Sequence, residues 1–163
     1  MAAGVTYTPI ATTTLGSATN SVSFNSISAS YADLVVIVNA TRPAGFDDGS
    51  IIFNSDTGNN YSTVLLRGTG AAASGARYTD YALALNLLYS ENQSTNIVHI
   101  NNYANTNTYK TMLTRANEAG NGVRANVTLW YSTAAISSIT FVNSGNSNFG
   151  SGSTFSLYGI TAA

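Results

Sequence analysis

The chain has 163 residues, of which six are basic and seven are acidic, so its formal net charge is −1. Charged residues amount to 8% of the chain, whereas about 25% is usual for globular proteins. A basic surface that could bind nucleic-acid phosphates is therefore excluded, and we expect no nucleic acid as a partner. Cysteine is absent, which also excludes disulfides and thiolate metal sites.

Most polar residues are uncharged: serine, threonine and asparagine account for 60 of the 163 residues. With a hydrophobic content of 44%, this composition is typical of a folded all-β protein with hydroxyl and amide surfaces. No basic residue precedes Arg42, and the densest aliphatic run, Leu34 to Val38, is far shorter than the ~20 residues that span a bilayer. We therefore expect no membrane association, and synthesis in a cytoplasm.

The first fifteen residues predict an extended N-terminal arm (1–15) in front of a single domain (16–163). The arm is uncharged and rich in threonine, and Pro9 has no N–H group to offer a central strand. It can lie along a neighbouring subunit, or form an edge strand or a frayed terminus. The candidate interface residues are Tyr7, Pro9, Ile10 and Thr12 in the arm, together with Tyr131.

Strand signals dominate the remaining sequence, because β-branched and aromatic residues alternate with Ser, Thr and Asn. The pattern predicts about ten short strands. They lie at Val22 to Ile27, Asp33 to Thr41, Ser50 to Asn54, Tyr61 to Arg67, Tyr81 to Leu87, Asn96 to Tyr103, Thr108 to Arg115, Val123 to Tyr131, Ile136 to Val142 and Thr154 to Thr161. Asp33 to Thr41 is almost continuously apolar, which predicts a central strand buried on both faces.

Two connections stand out between these strands. The turn Asp56-Thr57-Gly58-Asn59-Asn60 predicts a hairpin of the strands on either side. Gly68 to Gly75 predicts a flexible loop. Many short strands with Gly-rich turns indicate a single-domain antiparallel β-sandwich, jelly-roll-like, with two sheets of four or five strands.

The acidic residues offer two candidate calcium sites, because hard cations accept carboxylate and amide oxygens. One is Asp47 with Asp48, and the other is Asp56 with Asn59 and Asn60. The same residues also build β-turns without a metal, and we expect no metal ligand among them.

His99 is the only histidine, and on a strand it shares a face with Ile97, Asn101 and Tyr103. It is either a general base or an ordinary strand residue, and no G-x-S-x-G motif supplies a nucleophile. The segment from Gly68 to Ala73 matches a loose dinucleotide fingerprint but lacks the helix that such a site needs. We therefore expect no catalytic residues, no cofactor and no enzymatic activity.

Trp130 and Tyr131 are adjacent on a predicted strand and must point to opposite faces. We expect Trp130 in the core and Tyr131 at the surface, where it could contact a partner or stack on a sugar.

Several short sequence segments resemble segments found in a family of small structural proteins from tailed phages of aquatic bacteria. These segments are YTPIATTTLGSA at 7–18, FNSDTGNNYS at 53–62, INNY at 100–103, YKT at 109–111 and GSTFSLYGI at 152–160. The resemblance covers nearly the whole chain and implies a β-sandwich or jelly roll that is commonly trimeric. It carries no catalytic signature.

In such proteins the pattern occurs both in capsid decoration (cement) proteins and at the receptor-binding ends of tail fibres. The chain starts at Met1 and has no heptad or collagen repeat for a shaft, so we expect a decoration protein on the outer capsid of the virion. Its expected partners are the major capsid protein and two further copies of itself. The alternative is a receptor-binding tip that recognises host glycans through loops such as Gly68 to Gly75 and Gly145 to Gly152. A small carbohydrate-active enzyme is a third hypothesis.

Overall fold

The computed structural model describes residues 6–79, 82–89, 92–118, 120–143 and 147–161. The described residues form twelve β-strands and no helix. The strands are β1 (Tyr7–Thr14), β2 (Ser21–Phe24), β3 (Asp33–Ala40), β4 (Phe46–Phe53), β5 (Tyr61–Gly68), β6 (Ala73–Thr79), β7 (Leu83–Tyr89), β8 (Ser94–Asn101), β9 (Lys110–Glu118), β10 (Gly122–Trp130), β11 (Ile139–Asn143) and β12 (Thr154–Ile160).

The strands form two sheets, in which all the pairs are antiparallel. The large sheet has the order β1-β12-β3-β8-β9-β10-β5-β6, and the small sheet has the order β2-β11-β4-β7. The predicted all-β antiparallel sandwich is confirmed, but the predicted division into two sheets of four or five strands is wrong, because eight of the twelve strands pair in the large sheet. In the part of the chain that the structure describes, there is no helix long and apolar enough to cross a membrane.

The two strands beyond the predicted ten are β1 and β6, which form the two edges of the large sheet. The N-terminal segment therefore lies along its own domain as an edge strand, paired with β12 from Tyr7 to Thr14. The predicted flexible loop is wrong in its second half, because Ala73 already begins β6. Pairing with β5 over seven residue pairs overrides the weak strand preference of this Gly- and Ala-rich segment.

The predicted hairpin around Asp56 is also wrong. β4 belongs to the small sheet and β5 to the large sheet, so the turn between them crosses from one layer to the other. The turn residues correctly signal a reversal, but they carry no information about which strand the returning chain pairs with.

The apolar core lies between the small sheet and the β12–β3–β8 part of the large sheet. β3 contributes the buried residues Leu34, Val36 and Val38, which confirms it as a central strand. Phe141 of the small sheet and Phe155 of β12 meet across the layers with ring centroids 5.6 Å apart. Tyr103 joins this core instead of sharing the outer face of His99, because the chain turns at Asn102, whose φ is 49°.

The crossing turn is held by the carboxylate of Asp56. Its Oδ2 accepts a hydrogen bond of 2.7 Å from the indole Nε1 of buried Trp130, and its Oδ1 accepts one of 2.9 Å from the N–H of Gly58. The bond from Trp130 is the main cause that lowers the pKa of Asp56 below its ordinary value of 3.8. The phenol of Tyr61 donates to the Asp56 carbonyl, and burial raises the pKa of Tyr61 to about 12.

We expect Asp56→Ala to lower the free energy of unfolding by about 1–3 kcal/mol at pH 7, since the buried indole N–H of Trp130 loses its acceptor. The lowered pKa of Asp56 means that the carboxylate stabilises the fold above its ordinary pKa, and that this contribution is lost as the pH falls through the folded-state pKa. Urea unfolding at pH 7 and pH 3 should therefore give a smaller difference between wild type and variant at pH 3. An equal difference at both values would contradict this account, and Thr57→Ala in the same turn serves as the control.

Candidate functional site

The strands β5, β8, β9 and β10 place polar side chains inside the sandwich. The buried polar residues on these strands are Thr63, Ser94, Asn96, Lys110, Thr114, Glu118, Arg124, Asn126 and Thr128. Hydrogen bonds connect several of these groups to the small sheet. The amide of Asn96, for example, accepts a bond of 2.8 Å from the N–H of Asn86 on β7 and donates one of 3.2 Å to its carbonyl.

An ion pair ties the two sheets together in the same region. Arg124 of β10 donates from Nη1 to Oδ2 of Asp48 on β4 at 2.5 Å, and to Oδ1 of Asn86 on β7 at 3.3 Å. Both side chains of the ion pair are mostly shielded from water, with exposures of 6% for Arg124 and 22% for Asp48. The nearby Arg42 and Asp47 pair at 3.7 Å.

The outer surface of the same strands carries aliphatic side chains instead. Strand register places these residues in two parallel lines across the large sheet. The first line is Tyr158, Val35, His99, Leu113, Val127, Val64 and Arg77. The second line is Ser156, Ile37, Ile97, Arg115, Ala125, Leu66 and Gly75. We call the part of these lines between β3 and β5 the aliphatic face.

The aliphatic face reverses the usual amphipathic pattern of a sandwich strand. On β10, Arg124, Asn126 and Thr128 point inward, whereas Val127 and its outward neighbours remain in contact with solvent. Leu66 is 66% exposed, the largest exposure among the large hydrophobic residues whose burial the structure describes. A folded chain gains nothing from exposing such residues while burying polar ones. Contiguous exposed apolar surface is unusual on a single folded chain, which makes the aliphatic face the candidate interaction site.

The aliphatic face is concave. One groove of about 450 Å³ is lined by Tyr7 of β1 and also by Leu66 of β5. Five strands lie between β1 and β5 in the sheet order, and a flat sheet would keep the two strands about 29 Å apart. A second groove, of about 580 Å³, adjoins the first and shares Leu66, Ile97 and Arg115 with it. The large sheet therefore curls around an open trough.

Charge on this surface is mainly positive among the described residues. Arg115 projects from the middle of the second line, and Arg77 ends the first; both side chains are exposed. Asp33 is the acid on the same surface, and its carboxylate accepts a bond of 2.6 Å from the N–H of Asn102 and pairs with Nε2 of His99 at 3.2 Å. His99 thus lies on the outer face beside Ile97, as predicted.

Of the predicted interface residues, Tyr7 lines the trough, and the others lie elsewhere on the domain. Tyr7 is exposed and packs edge-to-face on Tyr158, with ring centroids 6.3 Å apart. Pro9 is exposed opposite Tyr158, and Thr12 donates to Ser156 at 3.1 Å. Ile10 lies where the strand register shifts, and it packs partly against the core.

Tyr131 is exposed, whereas Trp130 is buried, which confirms that the two rings point to opposite faces. Tyr131 forms an edge-to-face pair with Tyr109, whose ring is also exposed, at a centroid distance of 5.7 Å. These two tyrosines directly follow β10 and precede β9, so they extend the outer surface beyond one end of the trough.

The candidate calcium ligands are occupied by protein donors. Asp47 and Asp48 pair with arginines, and both oxygens of Asp56 accept hydrogen bonds from Asn60 in addition to those from Trp130 and Gly58. Within the described residues, no cluster of three or more His, Asp or Glu side chains is placed to hold a metal ion.

Comparison with known proteins gives a limited result. No family model matches the chain, and no curated protein matches it significantly. Among solved structures, the chain is similar to alginate lyase Aly36B, at 12% identity and a TM-score of 0.38, with 91% of this chain and 77% of that chain covered. A mutant of this lyase in complex with alginate tetrasaccharide gives 12% identity and a TM-score of 0.37, with coverages of 93% and 80%.

The expectation that the chain is not an enzyme needs correction, because the solved structures that it resembles are alginate lyases, which are enzymes. We therefore withdraw that expectation. The likeness is too distant to assign an activity, a substrate or a catalytic residue to this chain.

Proposed function

We propose that the chain is a structural protein of a phage virion, a capsid decoration protein that attaches to the outer shell through its aliphatic face. The observation that carries the proposal is the reversed pattern of β5, β9 and β10, which buries polar residues and exposes Val64, Leu66, Leu113 and Val127. A partner that covers such a surface removes apolar area from water, which stabilises the attached state. The resemblance of the sequence phrases to phage structural proteins supports the same assignment.

The chemistry of the aliphatic face restricts the partner segment. Its trough has room for a narrow, convex segment of the partner. The exposed aliphatic side chains of the trough favour apolar residues on that segment. Arg115 in the second line and Arg77 at the end of the first favour a carboxylate beside those residues. We therefore expect the shell protein to present a segment that combines aliphatic residues with aspartate or glutamate.

A binding assay on particles tests the proposal. Capsids of the parent phage that lack this chain are mixed with the purified protein, sedimented, and analysed by quantitative mass spectrometry. We expect hundreds of bound copies in a near-integer ratio to the major capsid protein. Binding of only a few copies would assign the chain to the tail instead, and no binding would refute an attachment role.

We expect the double variant Leu66→Thr and Val127→Thr to bind these capsids about 100-fold more weakly. Each substitution removes an apolar contact of about 1–1.5 kcal/mol, and every 1.4 kcal/mol is a factor of ten in affinity. Threonine keeps the strand preference, so thermal unfolding should stay unchanged. The matched control is Ile52→Thr with Val142→Thr, since register places these residues on the outer surface of the small sheet. Equal weakening by both pairs would contradict attachment through the aliphatic face.

Recognition of host glycans is a second candidate, favoured by the exposed pair of Tyr109 and Tyr131. Exposed tyrosine rings can provide apolar surfaces for sugars while their hydroxyl groups remain in water. Titration of host surface polysaccharide by calorimetry tests this function, with Tyr109→Ala and Tyr131→Ala as the variants expected to lose binding. The Leu66→Thr and Val127→Thr variant should keep it, which separates the two candidate functions.

A further inference from the structure

The two sheets end in four edge strands, and β6 differs from the other three. β1 is interrupted by Pro9 and a register shift, β2 has only four residues, and β7 pairs with β4 through two register shifts. Short strands, prolines and bulges are the devices that prevent a sheet edge from pairing with another chain. β6 shows none of these devices: it pairs with β5 in an unbroken register over seven residues.

β6 is also open on both faces. All seven of its residues are exposed, and no other described strand pairs with its second edge. Tyr78 is 40% exposed although its side chain lies on the face of the strand that points toward the small sheet. An extended, uninterrupted strand of this kind offers free N–H and C=O groups to a further strand.

The sequence of β6 is complementary to itself. If two copies pair in antiparallel fashion about a two-fold axis at Ala76, each large side chain lies opposite a small one of the second copy. Arg77 then faces Gly75, Tyr78 faces Ser74, and Ala76 faces itself. The Arg77 side chains of the two copies therefore do not lie opposite each other. Like charges that lie directly opposite would destabilise a strand pair. The net charge of −1 offers little overall repulsion between copies.

We infer that β6 is the dimerisation edge of this protein, and that a second copy of the chain pairs with it in this register. The eight strands of each large sheet then form one continuous sheet across the two-fold axis. The troughs of both copies are carried on this common sheet, which gives the assembly two attachment surfaces. The inference does not depend on the proposed function, because it concerns the edge of the sheet and not its aliphatic face.

Cysteine crosslinking tests the register directly, since the natural chain has no cysteine. Oxidation of the Ala76→Cys variant should give a covalent dimer, because directly opposed strand residues have the Cα separation of about 4.5–5.5 Å that a disulfide accepts. Ala73→Cys is the matched control: in this register it lies about 20 Å from its counterpart, and it should stay monomeric on a non-reducing gel. Equal crosslinking of both variants, or none of either, would refute the pairing.

Light scattering of the full chain at 1–100 μM provides an independent measurement. We expect a mass of twice the 16.9 kDa chain, and a return to the single-chain mass for Ala76→Lys, which opposes two charges at the axis. Thr12→Lys on the opposite edge of the large sheet should leave the dimer intact. A monomer throughout this range would overturn the inference, as would a trimer insensitive to Ala76→Lys. Particle binding plays no part in these results, so failure of the proposed function would leave them unchanged.

Discussion

Replacing Arg124 with methionine should lower the free energy of unfolding by about 3 kcal/mol, since it removes the positive charge that faces the carboxylate of Asp48, which is mostly shielded from water. The guanidinium reaches both β4 and β7 of the small sheet, so the variant loses bonds that connect the two layers. Methionine has a similar length and preserves most of the packing. Urea unfolding at pH 7 measures the change, and a loss below 1 kcal/mol would show that the ion pair contributes little.

The double variant Arg124→Met with Asp48→Asn is the control for this prediction. It removes both charges, so no uncompensated charge remains inside the sandwich, and we expect it to regain at least half of the lost stability. Replacement of whole buried ion pairs by neutral residues is often nearly neutral, whereas removal of one partner is costly. If the double variant is instead the less stable one, packing and not charge determines the contribution of Arg124.

This interior also explains why the sequence predicted the strands well but missed the aliphatic face. The alternation from Val123 to Trp130 correctly predicts β10, and it separates the two sets of side chains. The usual assumption would bury Val127 and expose Asn126, but Trp130 lies on the same side as Asn126. Burial of the large indole ring stabilises the fold more than burial of a smaller aliphatic side chain does. The position of Trp130 was therefore the available signal that the pattern is reversed.

Other parts of the fold depend on distant partners that a local pattern does not contain. β3 was predictable because every residue from Leu34 to Val38 is apolar. β6 was not predictable, because its strand conformation comes from pairing with β5 and not from β-branched residues. The concave trough likewise results from the curl of the whole large sheet, which brings Tyr7 near Leu66. The residues of β1 were identified as interface candidates, but the surface that they border could not be derived from their own segment.

Glycine 122 provides the second large effect, since Gly122→Ala should lower the free energy of unfolding by about 3–5 kcal/mol. Its φ is 135°, a conformation that is essentially restricted to glycine, and an added Cβ would overlap the carbonyl oxygen of Gly68 on β5. Backbone strain and backbone overlap act together here, and neither can relax by rotation of a side chain. The tight turn from β9 into β10 would have to open.

Gly70→Ala is the matched control because Gly70 also has a positive φ, of 83°, but has open space where a Cβ would stand. We expect it to cost only about 1–2 kcal/mol, the strain of a left-handed conformation alone. Thermal and urea unfolding of both variants separate the effect of backbone strain from that of overlap with the Gly68 carbonyl. Equal losses of unfolding free energy in the two variants would show that the approach of Gly68 is unimportant. A larger loss for Gly122→Ala would mean that the close contact between β5 and β10 is structurally required. The same pair of strands places Val64 opposite Val127, so opening this turn would disturb the ladder that carries part of the aliphatic face.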